Sequence, residues 1–175
     1  ALMGFICAPW PVACYLVDGC GGDFPLARAM AQTNPELFQR IIDMVVDASI
    51  VYLLGQIAAG ANAVQIFDSW ASHAGTDGFD RWIVVPATKI VAAVHAKYPG
   101  FPVIGFPRGC GQHAHTYATA TGVQAVGIDQ HADIAAIGKT VAHDLCLQGN
   151  LDPETLLAGG DALVLLPRRH DDAVV

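Results

Sequence analysis

Ala63-Val64-Gln65-Ile66-Phe67-Asp68-Ser69-Trp70 is a mostly apolar run of strand length that ends abruptly in an acid, a hydroxyl and an indole. A short apolar run bounded by polar or turn residues reads as a buried strand. The same form recurs four times: Leu2–Ala8 before Pro9-Trp10, Pro102–Phe106 before Pro107-Arg108-Gly109, Ala125–Asp129, and Leu145–Asn150. Helical patterns fill the intervals. Thr33-Asn34-Pro35-Glu36 supplies a capping residue, a proline in the first turn and an early acid. From there Leu37, Ile41, Met44, Val45, Ala48, Val51, Tyr52 and Ile57 recur at helical spacing up to Gly60. Pro86 opens a second helix that ends near Tyr98-Pro99-Gly100, a short one covers His115–Thr121, another covers Asp133–Ala142, and Asp152-Pro153-Glu154 opens the last. Pro9 and Pro11 are read as interrupting any helix after the first strand, which leads into the loop Asp18-Gly19-Cys20-Gly21-Gly22-Asp23.

Strands alternating with helices, without a hairpin signal between them, mean parallel strands joined by crossovers. Two architectures satisfy this: a doubly wound sheet and a (β/α)8 TIM barrel. The barrel is favoured because every strand carries polar or aromatic residues at its carboxyl end, and a barrel gathers such groups from many strands on one rim. No GxGxxG or GxxxxGK[ST] loop follows any strand. About five βα units are present, too few to close an eight-stranded barrel, so the chain is expected to be incomplete. Residues 1–162 are expected to form part of a single barrel domain. Residues 163–175, where Pro167 interrupts Leu163-Val164-Leu165-Leu166 and Arg168-Arg169, are expected to be a divergent tail.

Composition excludes several classes of function. Of the 175 residues 53% are apolar and only 14% are charged, which disfavours disorder and coiled coils. Sixteen acids against nine Lys and Arg leave a net charge of −7, so there is no basic face for nucleic acid. The uncharged windows 1–17 and 48–67 are broken by Gly4, Pro9 and Pro11 and by Gly55, Gln56, Gly60 and Asn62, and no membrane span is expected. Five cysteines without a CxxC pair fit reduced thiols in a cytoplasmic protein.

Five longer motifs stand in the chain: Gly4-Phe5-Ile6-Cys7-Ala8-Pro9-Trp10 with Tyr15-Leu16-Val17-Asp18-Gly19, Val64–Ala71, Ile104-Gly105-Phe106-Pro107-Arg108-Gly109, Thr121-Gly122-Val123 with Gly127-Ile128-Asp129, and Gln148-Gly149-Asn150-Leu151-Asp152-Pro153. In order and spacing they resemble the motifs of the uroporphyrinogen decarboxylase family. The resemblance implies a TIM barrel and the removal of four acetate carboxyls from uroporphyrinogen III, giving coproporphyrinogen III in porphyrin and heme biosynthesis. It implies no cofactor, a tetrapyrrole as the only small-molecule partner, and a homodimer when the protein is full length. Cys20 and Gln130 depart from the family's usual Gly and Trp. The family's amino-terminal third, with its substrate-binding arginines and essential aspartate, has no counterpart here, nor does its last strand with a histidine. The catalytic aspartate is therefore expected in a missing segment, and this chain alone is expected to be inactive.

The resemblance assigns Tyr15, Ser69 and Phe67 to substrate binding. The Tyr15 phenol matches the family's tyrosine that faces the porphyrinogen, against the alternative of a half-buried core residue. The Ser69 hydroxyl, at a strand end, suits a substrate carboxylate; the alternative is a cap on its own backbone. No G-x-S-x-G elbow supports Ser69 as a nucleophile. Phe67 is expected to point into the barrel as an apolar floor, with core filler an equal account. Asp68 and Trp70 fall on the other side of the strand and are expected to support the rim. Asp129 reads as a cap or ion-pair residue, and Arg108 as a cation holding a strand-end loop. Cys110, His113 and His115 raise a zinc site like that of cobamide-dependent methyltransferases on the same fold. Those enzymes, however, use a His-x-Cys element where this chain has Phe106-Pro107-Arg108, and no metal is expected.

Overall fold

A computed structural model describes residues 1–141 and 145–160. The tail expected at 163–175 and the end of the helix expected at Asp133–Ala142 lie outside the described residues. Five parallel strands, β1 (Met3–Cys7), β2 (Ala63–Asp68), β3 (Val103–Pro107), β4 (Ala125–Gly127) and β5 (Cys146–Gln148), pair in chain order. Sequential order separates the two architectures left open by the sequence. A doubly wound sheet reverses its order at a switch point, whereas crossovers that always step the same way put every helix on one face. The helices are α1 (Pro9–Asp18), α2 (Pro25–Thr33), α3 (Pro35–Ala58), α4 (Gly75–Gly78), α5 (Val85–Lys97), α6 (Ala114–Thr121), α7 (Ile134–Gly138) and α8 (Pro153–Ala158). The chain is thus five consecutive units of a (β/α)8 barrel wall.

The sheet is curled. Gln65 Nε2 on β2 donates to Gln148 Oε1 on β5 at 3.1 Å. On a flat sheet those strands would lie about 14 Å apart with their side chains standing parallel. Only inward curvature brings the two amides together. Register puts Phe5 beside Gln65, Phe67 beside Phe106, and Gly127 beside Gln148, so these residues share the concave face. The other face carries Ile6, Val64, Ile66, Val103 and Val126, all buried against the helices. Two glycines let the layers meet closely: the Gln56 side chain fills the space of a Gly4 Cβ, and the Tyr117 ring that of a Gly105 Cβ.

Four expectations need correction. First, Pro9 and Pro11 do not break a helix; they start α1, with Pro9 at its first position. The first-turn N–H groups have no intrahelical acceptor, so their absence costs nothing there. Second, α3 buries Phe38, Ile42, Val46, Ser49, Leu53 and Ile57, a stripe offset by one residue from the expected one. Met44, Val51 and Tyr52 are exposed instead. Third, the helix expected to open at Pro86 is entered earlier, from α4 through a π-helical turn at Phe79–Val84. A proline ring clashes with the carbonyl four residues back, and the wider turn directly upstream accommodates it. Fourth, β1 is not wholly buried: Met3, Phe5 and Cys7 on its concave side are exposed.

By length and composition α3 could also cross a membrane. In this fold it packs on β1, β2, α1 and α5 through its buried stripe. Its second apolar face, with Phe5, Cys7, Leu16, Met44 and Tyr52, lines a groove of about 480 Å³ beside the outer edge of β1. An uncovered concave face, an edge strand that the Gln56 amide caps at Phe5 and an apolar groove together make a surface prone to association. The isolated 175-residue chain is expected to bind hydrophobic dyes and to self-associate, as read by dye fluorescence and light scattering. A monodisperse monomer with a sharp cooperative melt and no dye binding contradicts this.

Candidate functional site

The carboxyl ends of β1 and β2 are tied together by indoles. Trp10, at the second position of α1, is 1% exposed, and its Nε1–H donates to the Trp70 carbonyl at 3.0 Å. Farther along α1, Tyr15 stands 43% exposed, and its Oη accepts a hydrogen bond from Trp70 Nε1–H at 3.0 Å. Gly19 ends the helix in the left-handed region at φ 77° and donates its N–H to the Tyr15 carbonyl at 2.9 Å. After the glycine-rich loop, Phe24 holds φ 52°, a left-handed conformation that costs a non-glycine residue about 1–2 kcal/mol. Its ring repays that cost through burial at the centre of an aromatic cluster, edge-on to Tyr15 and to Trp70 at 5.3 Å each, with His73 at 6.1 Å. Asp18 fixes the far side of the loop by accepting from the N–H groups of Leu26 and Ala27 at the start of α2.

Ser69 follows β2 directly and is half-buried. Among the described residues its hydroxyl makes no hydrogen bond, so the alternative of a backbone cap has no support. Phe67 lies on the concave face as expected, in a row of edge-to-face rings with Phe5 at 6.0 Å and Phe106 at 6.1 Å. Gly127 leaves room for that row, since a Cβ there would meet the Phe106 ring at 2.7 Å. The structure therefore brings Tyr15 against the residue that follows Ser69, and places Phe67 with a different set of rings, on the barrel floor. Phe5, Phe24, Phe106 and His73 escaped the sequence reading. Only Phe5 and Phe106 carried a signal, because both share the strand parity of Phe67.

Asp68 supports the rim from behind. Its side chain is on the helix-facing side and fully buried, with Oδ1 lacking any partner among the described residues, and burial holds its carboxyl well above the ordinary range. Nearby, burial and then the Asp68 charge push the Cys14 and Cys110 thiols up to about 12, which keeps both protonated. The same two causes raise the buried Tyr117 phenol. The Asp68 carbonyl accepts from the Arg108 N–H at 3.1 Å. Asp129 acts as a cap: its carboxylate accepts from the N–H groups of Gly109 at 2.8 Å and His131 at 3.0 Å. Asn150 Nδ2 adds bonds to the carbonyls of Asp129 and Ala132. The Arg108 side chain is exposed, with no carboxylate partner among the described residues.

A zinc ion does not fit the Cys110 region. Cys110 is buried, the His113 ring lies over Phe79 at 4.8 Å, and His115 is exposed. Among the described residues no three His, Cys, Asp or Glu side chains converge as ligands.

The sequence profile of the family described as "Uroporphyrinogen decarboxylase (URO-D)" matches residues 1–165. This chain belongs to the uroporphyrinogen decarboxylase family. It is 48% identical to the uroporphyrinogen decarboxylase of Granulibacter bethesdensis over 93% of this chain and 48% of the relative. With that of Erythrobacter litoralis the identity is 46%, over 93% of this chain and 48% of the relative. With that of Gluconobacter oxydans it is 43%, over 99% of this chain and 50% of the relative. The chain thus spans about half the length of the curated relatives it matches. A solved methyltransferase from Methanosarcina mazei superposes with a TM-score of 0.76 at 20% identity, over 90% of this chain and 45% of that one. At that identity the likeness establishes the fold alone.

The buried Asp68 carries a pH signature in this family member. A carboxyl that keeps its proton when folded and loses it when unfolded makes folding take up a proton. Stability is then fullest below the unfolded value, about pH 4, and falls as pH rises toward the folded value. Asp68→Asn keeps the shape and removes the titration. In the complete natural protein that carries this sequence, thermal melts from about pH 5 to pH 8 should show a shallower loss of Tm for Asp68→Asn than for the parent. Parallel slopes would show that Asp68 does not carry the proton.

Proposed function

We propose that this chain is a piece of a uroporphyrinogen decarboxylase barrel and supplies some of its substrate contacts, the whole acting on the acetate side chains of a tetrapyrrole. The match to curated uroporphyrinogen decarboxylases at 43–48% identity carries the reading. The geometry supports it with two hydroxyls, of Tyr15 and Ser69, at the strand-end rim and an aromatic floor of Phe5, Phe67 and Phe106 on the concave face. Hydroxyl donors suit carboxylates, and aromatic rings suit a flat macrocycle.

Each turnover removes one acetate carboxyl as carbon dioxide and leaves a methyl group. The pyrrole takes a proton and becomes cationic, and the breaking C–C bond delivers its electron pair into that ring to leave an exocyclic methylene. A second proton converts that carbon to CH3, and the ring gives back the proton it first took, so that one proton is consumed for each carbon dioxide released. The substrate acts as its own electron sink, so no cofactor is invoked, and the protein must hold polyanionic substrate and stabilise the cationic ring. Asp68 cannot serve as that stabilising carboxylate, since it is buried on the helix side of β2. We assign that role to the essential aspartate that the resemblance places in the family's amino-terminal third. Dimer formation and a cytoplasmic setting belong to the same reading.

Kinetics of the complete natural protein test it. Tyr15→Phe should lower kcat/KM about 10- to 150-fold with little change in Tm, the effect of losing one hydrogen bond to a charged group. A value within about twofold of the parent makes Tyr15 a packing residue. Ser69→Ala should act chiefly by raising KM, because a carboxylate remote from the reacting carbon is bound alike in ground and transition states. Unchanged KM with a lower Tm makes Ser69 structural, and a collapse of kcat with a trappable adduct makes it a nucleophile.

A further inference from the structure

We propose that Trp70 positions the Tyr15 phenol as a hydrogen-bond donor, so that the pair selects an acceptor-only anionic group, a carboxylate in this site. The proposal rests on the reading of Tyr15 as a substrate contact and adds the residue that sets its polarity.

The polarity follows from what each group can do. An indole has one N–H donor and no acceptor, so in the 3.0 Å contact between Trp70 Nε1 and Tyr15 Oη the phenol oxygen accepts. A phenol has one proton. Among the described residues Tyr15 Oη donates to no protein atom, and the side chain is 43% exposed, so that proton is free for a ligand. An oxygen that already accepts one hydrogen bond is also a stronger donor through its own proton. Tyr117 makes the contrast: its hydroxyl is buried, has no partner among the described residues, and is closed off from any ligand.

Trp70 is itself held at three points. Its carbonyl accepts from the buried Trp10 indole at 3.0 Å, and its ring packs edge-on against Phe24 at 5.3 Å and His73 at 5.1 Å. Phe24 also braces the Tyr15 ring. One buried ring therefore fixes both members of the pair, and the N–H to Oη bond is set before a ligand arrives. A phenol whose proton was used by the protein could only accept, and would suit an ammonium group.

The test is a double-mutant cycle in the complete natural protein, with uroporphyrin I, a stable octacarboxylate, as the probe and fluorescence quenching as the readout. Trp70→Phe keeps an aromatic ring and removes the N–H, and should weaken binding about 3- to 10-fold. In a Tyr15→Phe background the same change should cost nothing further, because there is no hydroxyl left to position. Independent, multiplying losses would overturn the proposal and place Trp70 in contact with the ligand on its own account. Trp70→Phe at parental affinity, with Tyr15→Phe weakened, overturns the proposal alone. Tyr15→Phe at parental affinity removes the reading of Tyr15 and the proposal with it. If Trp70→Phe lowers Tm, replacement of Trp70 by benzothienylalanine, which has the shape of tryptophan without the N–H, is read in its place. The bond also has a spectroscopic signature: the Trp70 indole N–H resonance should move upfield in Tyr15→Phe while that of Trp82 stays. An unmoved Trp70 resonance overturns the proposal.

Discussion

The parallel ladder joining β1, β2 and β3 without a slip is the constraint on which the site depends. Side chains alternate along a strand, so a one-residue shift would exchange the two faces of any strand that slipped. With Cys7 opposite Phe67 and Phe67 opposite Phe106, the rings of the floor lie on the concave side and the aliphatic residues Ile6, Ile66 and Val103 on the helix side. The same alignment ends all three strands at one level, which is why Trp10, Ser69 and Arg108 emerge on a common rim. The Gln65–Gln148 bond across the concavity reinforces the curvature that this ladder begins.

Rim geometry is anchored in the core rather than by the loops themselves. Trp10 is packed edge-on against Phe38, and Phe38 against Trp82, so its indole N–H is aimed by buried rings. That N–H holds the Trp70 carbonyl, and the Trp70 indole holds Tyr15. Two hydrogen bonds in series connect the interior of the helix layer to an exposed phenol. The strained Phe24 backbone belongs to the same arrangement, since strain of about 1–2 kcal/mol persists only where the surrounding packing fixes it.

Strand positions were legible because each is an apolar run with a polar end, a pattern with one structural meaning in an alternating chain. The face of α3 was not, because the helix is apolar on two sides. Phe38, Ile42 and Val46 are buried in the core, while Ile41, Met44 and Val45 line the groove beside β1, and spacing alone cannot rank them. Helix α1 was missed because Pro9 and Pro11 were read as breakers, although in the first turn a proline removes only a donor that has no acceptor. Of the site, Tyr15, Ser69 and Phe67 were reached through motif resemblance. Phe24 joins Trp70 through a loop whose path no local pattern specifies, and His73 through the short turn Ala71–Ala74 that follows Trp70 directly.

Charge placement gives the site its chemical sense. The proposed substrate is an octacarboxylate, and the chain carries a net charge of −7, so every carboxylate near the rim matters. Two like charges about 4 Å apart repel by about 1 kcal/mol in water and by several in partly buried surroundings. Asp68, next to Ser69, avoids this by lying on the helix side, where burial holds its carboxyl well above the ordinary range. Asp129, at the next rim position, turns its two oxygens to the N–H groups of Gly109 and His131. The rim also offers the Tyr15 phenol, the Ser69 hydroxyl and the exposed Arg108 side chain. None of the three is anionic, and each can donate a hydrogen bond to a carboxylate, so burial of Asp68 and capping by Asp129 leave these donors without a like charge from either acid turned toward them.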